Sequence, residues 1–234
     1  MPSTRRERDK TERYHRMREH VVDVAVELFS KNGYTGTGVA EIGDAAGLAR
    51  GALYYYIGSK EALLAEIHDR VMDPLLKEAS AIVELDAGFA ARLRLLSESL
   101  LWHIVNRQDH VWVFLHEYRQ LQGEYRTLFR EKRQRFESHV HYLLADGRRQ
   151  GLVSVDDLEL AALAFLNMHN YTYQWVGTRG KWEVEELSRQ YCGIFLGGVS
   201  TEPVDAAATE LDMAPGRAAL HELRRVASEQ QTRK

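Results

Sequence analysis

Only one cysteine, Cys192, occurs among the 234 residues of the chain. It cannot close an internal disulfide, and a multi-cysteine metal site is excluded. Long apolar runs are missing too. No stretch approaches the roughly 18 apolar residues of a membrane span, and the charged N-terminus lacks the apolar core of a secretory signal. The expectation is a cytoplasmic protein with no membrane partner. There is no excess of basic charge either: 31 lysines and arginines face 34 acids, for a net charge of −3. The whole molecule is therefore no general polyanion binder, and any nucleic-acid contact must come from a local basic patch. Catalytic signatures are absent, among them H-E-x-x-H, the P-loop, G-x-S-x-G and the dinucleotide fingerprint. His139 and His141 lie two apart, on different faces of a helix, and make a poor metal pair. Asp156-Asp157 reads better as a helix cap than as an acid–base pair. No enzyme, cofactor or metal is expected; an all-α lyase or a metal site inside a bundle stays open as the weaker alternative.

What is present is helical pattern with almost no strand signal. Hydrophobic residues make up 44% of the chain, enough for a core, and charged residues 28%. The length suits one large domain or a small head with a larger body. Residues 1–10 are polar and are expected to be disordered in isolation. From Arg5 to Arg18, seven basic residues (Arg5, Arg6, Arg8, Lys10, Arg13, Arg16, Arg18) outnumber three acids. This is either a solvated helix start or a basic arm that reaches DNA phosphate or a minor groove. A first helix is expected from Glu12 to Lys31, with Val22, Ala25, Val26 and Phe29 inward, ending at Asn32-Gly33.

Residues Thr37 to Glu61 then read as two short helices joined at Gly47, followed by a third capped by Ser59. Val39, Ile42 and Ala46 share one helical face, and Leu53 and Ile57 share another. Gly47 has no Cβ and can take the positive φ that the turn requires. Two helices across a short glycine turn form the helix-turn-helix unit, whose second helix enters the DNA major groove. The run resembles the DNA-binding head of the TetR family of transcriptional regulators. Val39, Ile42, Ala46, Gly47, Gly51, Leu53, Tyr54, Ser59, Lys60 and Glu61 hold that family's spacing, and Leu28, Phe29, Gly33 and Tyr34 match the end of its first helix. The resemblance implies that Tyr54, Tyr55 and Lys60 contact phosphates and that Arg50, Gly51 and Ala52 open the recognition helix toward the groove. Thr37 and Gly38 occupy the start of the unit and complete the expected DNA-binding set. Arg50 alone among the opening residues can make a bidentate contact to guanine.

Four residues depart from the pattern, one of them Ile57, which replaces the usual aromatic. Gly38 stands where a capping serine or threonine is usual, with Thr37 beside it as a substitute cap. Ala49 stands where a capping serine is usual, and a lost cap costs about 1 kcal/mol. Gly43 replaces an alanine within a helix, at about 1 kcal/mol. The head is expected to fold softly. An alternative function follows: a helical ligand-binding or interaction module with weak or lost DNA binding.

Beyond Ser59 a helix carries Leu63, Leu64, Ile67 and Val71, and Asp73-Pro74 should kink or interrupt it. Further helices are expected over 89–105, 110–121, 125–149, 158–176 and 183–197. Residues 201–215 look like a linker, and 217–230 like a loosely docked helix. The helix from Leu158 is apolar nearly all round, so it is buried on more than one side. The stripe Phe165, Met168 and Thr172 is assigned to a subunit interface. Val184, Leu187, Tyr191, Ile194 and Phe195 of the final helix join it, as in the family's four-helix dimers. A two-fold homodimer would match a palindromic operator.

Aromatic and polar residues of the body (Trp102, His103, Phe114, Tyr118, Asn167, Tyr171 and Trp175) are assigned to a pocket for a hydrophobic effector. Ordinary core with satisfied histidines is the competing reading. The segment from Asn167 to Leu187 resembles that of TetR-type regulators responding to acyl-CoA thioesters. Arg126, Arg130, Lys132, Arg133 and Arg135, or Arg179 and Lys181, are the cations such a ligand would need. The resulting expectation is an all-α protein. Residues 1–61 form a three-helix DNA-binding head, 62–200 a helical ligand-binding and dimerisation domain, and 201–234 a linker and tail helix. It acts as a repressor that a small molecule releases from operator DNA.

Overall fold

A computed structural model describes residues 3–233; of these, the side chains of residues 3–11, 178, 179 and 230–233 are left undescribed. The basic-arm reading on Arg5, Arg6, Arg8 and Lys10 thus lies outside the described residues. The fold is all-α, with eleven α-helices among the described residues: α1 (Ser3–Asn32), α2 (Val39–Ala45), α3 (Arg50–Ile57), α4 (Lys60–Val83), α5 (Phe89–Asn106), α6 (Gln108–His116), α7 (Gly123–Arg149), α8 (Leu158–Asn170), α9 (Val176–Arg179), α10 (Val184–Val199) and α11 (Ala206–Arg233). Extended pairing among these residues amounts to an isolated bridge between Val153 and Ser200. No described helix is long and apolar enough to cross a membrane.

Two compact units form, each from separated stretches of chain. The first holds residues 1–71, 109–129 and 224–234; the second holds 72–108 and 130–223. In the first, Val22, Ala25, Phe29, Ile42, Leu53, Ile57, Leu64 and Ile67 make one buried cluster, which Val113, Leu121 and Phe129 complete. The inner stripe read from the sequence of α1 is the stripe that is buried. In the second unit, α5 lies packed along α10 and is buried almost all round.

Four element boundaries differ from the sequence expectation. α1 begins near Ser3 rather than Glu12, because its opening residues are mostly good helix formers with no glycine or proline. α4 runs through Pro74: the buried residues on both sides, Val71, Met72, Leu75, Leu76 and Ala79, outweigh one missing hydrogen bond. The helix expected over 158–176 stops at Asn170 and continues as a 3-10 turn over Tyr171–Gln174 and the short α9. Aromatic and β-branched residues dominate there, which weakens helix propensity. The supposed linker is mostly helix, since α11 starts at Ala206 and includes Pro215. Nor is α11 loosely docked. Met213 and Leu220 are buried, and Arg217 donates from Nε and Nη2 to Glu98 at 2.9 and 2.6 Å. A Cβ at Gly216 would collide with Leu95 and Leu85.

Candidate nucleic-acid interface and effector domain

The helix-turn-helix is held together mainly by backbone and apolar contacts. Gly47 takes φ +67° between α2 and α3, and the Leu48 N–H donates to the Gly43 carbonyl at 2.8 Å. A Cβ on Gly43 would meet the Leu48 carbonyl oxygen at 3.0 Å. The glycine that reads as a propensity loss in one dimension therefore permits a close approach in three. Neither Gly38 nor Ala49 supplies a side-chain cap. At α2, the Glu41 carboxylate accepts the Gly38 N–H at 3.3 Å and the Asn32 amide at 3.2 Å, which restores part of the lost capping. Ser59 caps α4 as expected, accepting the Ala62 N–H at 2.9 Å.

Arg50, Gly51, Ala52, Tyr54 and Tyr55 are all exposed on α3, while Leu53 and Ile57 on its other side are buried. The Arg50 guanidinium lies 5.9 Å from the Tyr54 ring centroid. Gly38 is also exposed. Thr37 is not: it is 1% exposed and its hydroxyl donates to the Gly33 carbonyl at 2.9 Å. Its placement in the DNA-binding set is corrected, and so is its role as a substitute cap for α2. The hydroxyl instead satisfies a carbonyl left open where α1 ends.

The Lys60 ammonium donates to the Tyr34 carbonyl and lies 4.0 Å from the Tyr34 ring centroid. Partial burial lowers its pKa, and Glu117 opposes that shift. Tyr14 was missed by sequence reasoning. Its ring packs on Tyr55 at 5.4 Å and on Tyr56 at 5.2 Å, and this packing orients the exposed Tyr55. The helical register of α1 placed it among polar neighbours, so no local signal marked it.

The aromatic set assigned to an effector pocket is divided between the two compact units. Phe114 and Tyr118 belong to the first unit, where both pack on Phe129. The other five belong to the second unit. There His103 is buried and its Nε2 lies 3.1 Å from Glu78 Oε1, while Ser99 donates to Glu78 Oε2 at 2.8 Å. Trp102 stands edge-on to His103, and Trp175 edge-on to Trp182. Asn167 and Tyr171 are exposed. Two cavities of the second unit measure about 450 and 270 Å³, and none of the seven residues lines either one. Neither of these two cavities is the pocket that the sequence reading assigned to the seven residues. His169, fully buried, donates from Nδ1 to the Phe165 carbonyl at 2.7 Å and accepts from Ser97 Oγ at 2.7 Å. Burial pushes its pKa down to about 4. This is a satisfied core histidine.

The stripes of α8 are exchanged relative to expectation. Phe165, Thr172, Leu187 and Phe195 are buried within the second unit. Phe165 meets Phe195 at 5.3 Å and His169 meets Tyr191 at 5.2 Å, so α8 and α10 run antiparallel. Thr172 and Tyr191 join their hydroxyls at 2.8 Å. Met168, Val184 and Tyr191 are half-buried. The surface instead carries Leu160 (65% exposed), Leu163, Tyr171 (67%) and Ile194 (68%). The purer apolar stripe seals the unit's own core, and the mixed stripe faces outward. Of the interface residues named from the sequence, Ile194 is the one left widely open.

Residues 21–67 match the family model described as bacterial regulatory proteins, tetR family, and residues 86–199 match the tetracyclin repressor-like C-terminal domain. The HTH-type transcriptional repressor KstR2 of Rhodococcus jostii (strain RHA1) is 28% identical over 186 residues, which cover 79% of this chain and 91% of that protein. The TetR family transcriptional regulator PfmR from Thermus thermophilus superposes with a TM-score of 0.70 at 28% identity, over 76% of this chain and 97% of its own. AibR in complex with isovaleryl coenzyme A and operator DNA gives a TM-score of 0.69 at 25% identity, again over 76% and 97%. The matched C-terminal model stops at residue 199, ahead of α11.

Proposed function

Because the chain belongs to the tetR family of bacterial regulatory proteins, we propose that it is a cytoplasmic, homodimeric repressor of transcription that releases palindromic operator DNA when a hydrophobic small molecule binds its body. The observation that carries this reading is the exposed surface of α3. Arg50, Gly51, Ala52 and Tyr55 are presented together on a helix whose other side is locked into the core of the head. Arg50 reads guanine edges, while Tyr54, Tyr55 and Lys60 hold phosphates. Lys60 must first leave the Tyr34 carbonyl to do so. Dimerisation uses the outward stripe of α8, the 3-10 turn after it and α10, formed by Leu160, Leu163, Tyr171 and Ile194, since exposed apolar patches of this kind mark association surfaces. Two-fold symmetry then sets the heads about one DNA turn apart.

An acyl-CoA thioester is the proposed effector class, supported by the likeness to AibR. Arg126, Arg130 and Arg135 on α7 are exposed. Lys132 pairs with Asp73 at 2.6 Å and Arg133 with Glu137 at 2.9 Å, which makes those two weaker phosphate ligands. Effector binding works by favouring one state of the protein over the other, with α4 as the element that changes. The second reading, a ligand-binding module with weakened DNA affinity, is favoured by the uncapped starts of α2 and α3.

Titrating the protein's own upstream DNA at two salt concentrations, with and without acyl-CoA species, separates the two. The repressor reading expects sequence-dependent binding that weakens with salt and with effector. Binding that is absent, or indifferent to sequence, sinks it. Operator binding that ignores every thioester removes only the effector class.

A further inference from the structure

Most lysines and arginines along residues 12–71 are already committed. Arg18 pairs with Glu66 at 2.6 Å, Lys31 with Glu27 at 2.6 Å and Arg70 with Glu19 at 2.8 Å, while Lys60 donates to the Tyr34 carbonyl. The remaining arginines of that stretch, Arg13, Arg16 and Arg50, make neither an ion pair nor a hydrogen bond among the described residues. Arg50 opens α3. Arg13 and Arg16 are exposed on α1, three residues apart and so neighbours on the helix surface. Between them in sequence stands Tyr14. Its ring meets Tyr55 at 5.4 Å and Tyr56 at 5.2 Å, and Tyr55 meets Tyr56 at 5.2 Å. Such distances are those of favourable ring pairs, so the three rings fasten this turn of α1 to α3 beside Tyr55, which is 71% exposed.

We propose that Arg13 and Arg16 form a phosphate-binding ridge on α1 that takes the DNA backbone flanking the groove read by α3, with Tyr14 as the positioning residue that fixes the ridge beside Tyr55. The proposal rests on the operator reading above and adds to it a contact from outside the helix-turn-helix. Arg13 follows directly from the ring cluster, since its Cα lies about 3.8 Å from that of Tyr14. The guanidinium fork matches the oxygens of a phosphate, and an arginine with no acid to leave gives up no protein contact when it binds one. The chain is net negative at −3, so attraction to DNA must come from such uncommitted local cations. Backbone rather than base edges is the partner. Tyr14 touches α3 at Tyr55 and Tyr56, beyond the opening turn that holds Arg50. In helix-turn-helix docking that opening turn meets the bases, while flanking elements cross the backbone. Sequence alone presents Arg5 to Arg18 as one basic run; the folded chain commits Arg18 to Glu66 and leaves two arginines free next to the rings.

Fluorescence-anisotropy titration of the full chain with its own upstream duplex and with an unrelated duplex, each at several salt concentrations, tests the ridge. Arg13→Ala combined with Arg16→Ala should weaken binding to both duplexes about tenfold. It should also reduce the steepness of log affinity against log salt by about 2, with sequence preference and melting temperature as in the wild type. Tyr14→Phe keeps the ring and should bind like the wild type. Tyr14→Ser keeps both cations and should still lose about 1 from the salt steepness. Lys77→Ala removes an exposed cation of the second unit and should leave the steepness unchanged. Wild-type steepness in the arginine pair or in Tyr14→Ser, an altered sequence preference, or an equal loss in Lys77→Ala would overturn the ridge. Salt-sensitive binding that treats the two duplexes alike sinks the operator reading and leaves the ridge standing; binding to neither duplex overturns both.

Discussion

At the scale of single residues, the division of labour on α3 is open to experiment. Arg50 is exposed at the first turn of the recognition helix, and a bidentate contact to guanine discriminates by about 1–3 kcal/mol per base pair. Arg50→Ala should therefore change which operator sequence is preferred. Tyr55→Ala should instead weaken binding to every sequence alike, since phosphate contacts carry no base information. Competition binding against a randomised operator library reads both outcomes; an unchanged preference in the Arg50 variant would refute the assignment. Thr37 shows the limit of motif reasoning at this scale. The pattern places it where family members begin their second helix, but its hydroxyl turns back to Gly33.

Between elements, register decides function. α8 has apolar residues on two faces, and only packing against α10 shows which of them closes the core. Phe165→Ala should cost about 3–5 kcal/mol of stability, the usual range for a buried phenylalanine, and lower the melting temperature. Leu160→Glu combined with Ile194→Glu should leave stability nearly unchanged and convert the proposed dimer to monomers in sedimentation or light scattering. A double variant that remains dimeric would place the interface elsewhere. α11 carries an ion-pair network of its own. Arg217 serves both Glu98 and Glu210, and the Glu98 carboxylate is nearly buried. Arg217→Ala strips that carboxylate of its guanidinium partner. Because Arg217 is itself partly exposed, the expected loss is about 1–2 kcal/mol, measured by denaturant titration.

Over the whole molecule, each compact unit contains a buried neutral histidine. His68 is wedged between Phe114 and Phe129 in the first unit, and His169 lies against Phe165 in the second. Burial pushes both down to about 4, against roughly 6.5 in an unfolded chain. As pH falls, the unfolded state takes up the proton first, so stability is lost between about pH 6.5 and pH 4. Each histidine should account for about 2 kcal/mol of loss at about pH 5. Thermal melts across this range should show the decline, and His169→Gln should flatten part of it. A melting temperature independent of pH over that window would contradict the burial of both rings.

Helix type and the head's core could be read from the chain because they rest on local spacing. Val22, Ala25 and Phe29, or Leu53 and Ile57, repeat with the helical period, and the period alone selects the buried side. The same spacing revealed the helix-turn-helix, the capping role of Ser59 and the breadth of apolar surface on α8. Tertiary structure decided whatever depends on a partner distant in sequence. It buried Thr37, turned Lys60 toward Tyr34, split the aromatic set between two units and gave α11 a docked path through Pro215. It also made Gly43 a point of close approach rather than a defect. The reason is physical: periodicity reports which face of a helix leaves water, but a helix with two apolar faces, a lysine with two acceptors or a proline between buried turns has its outcome set by neighbours that only the folded chain brings near.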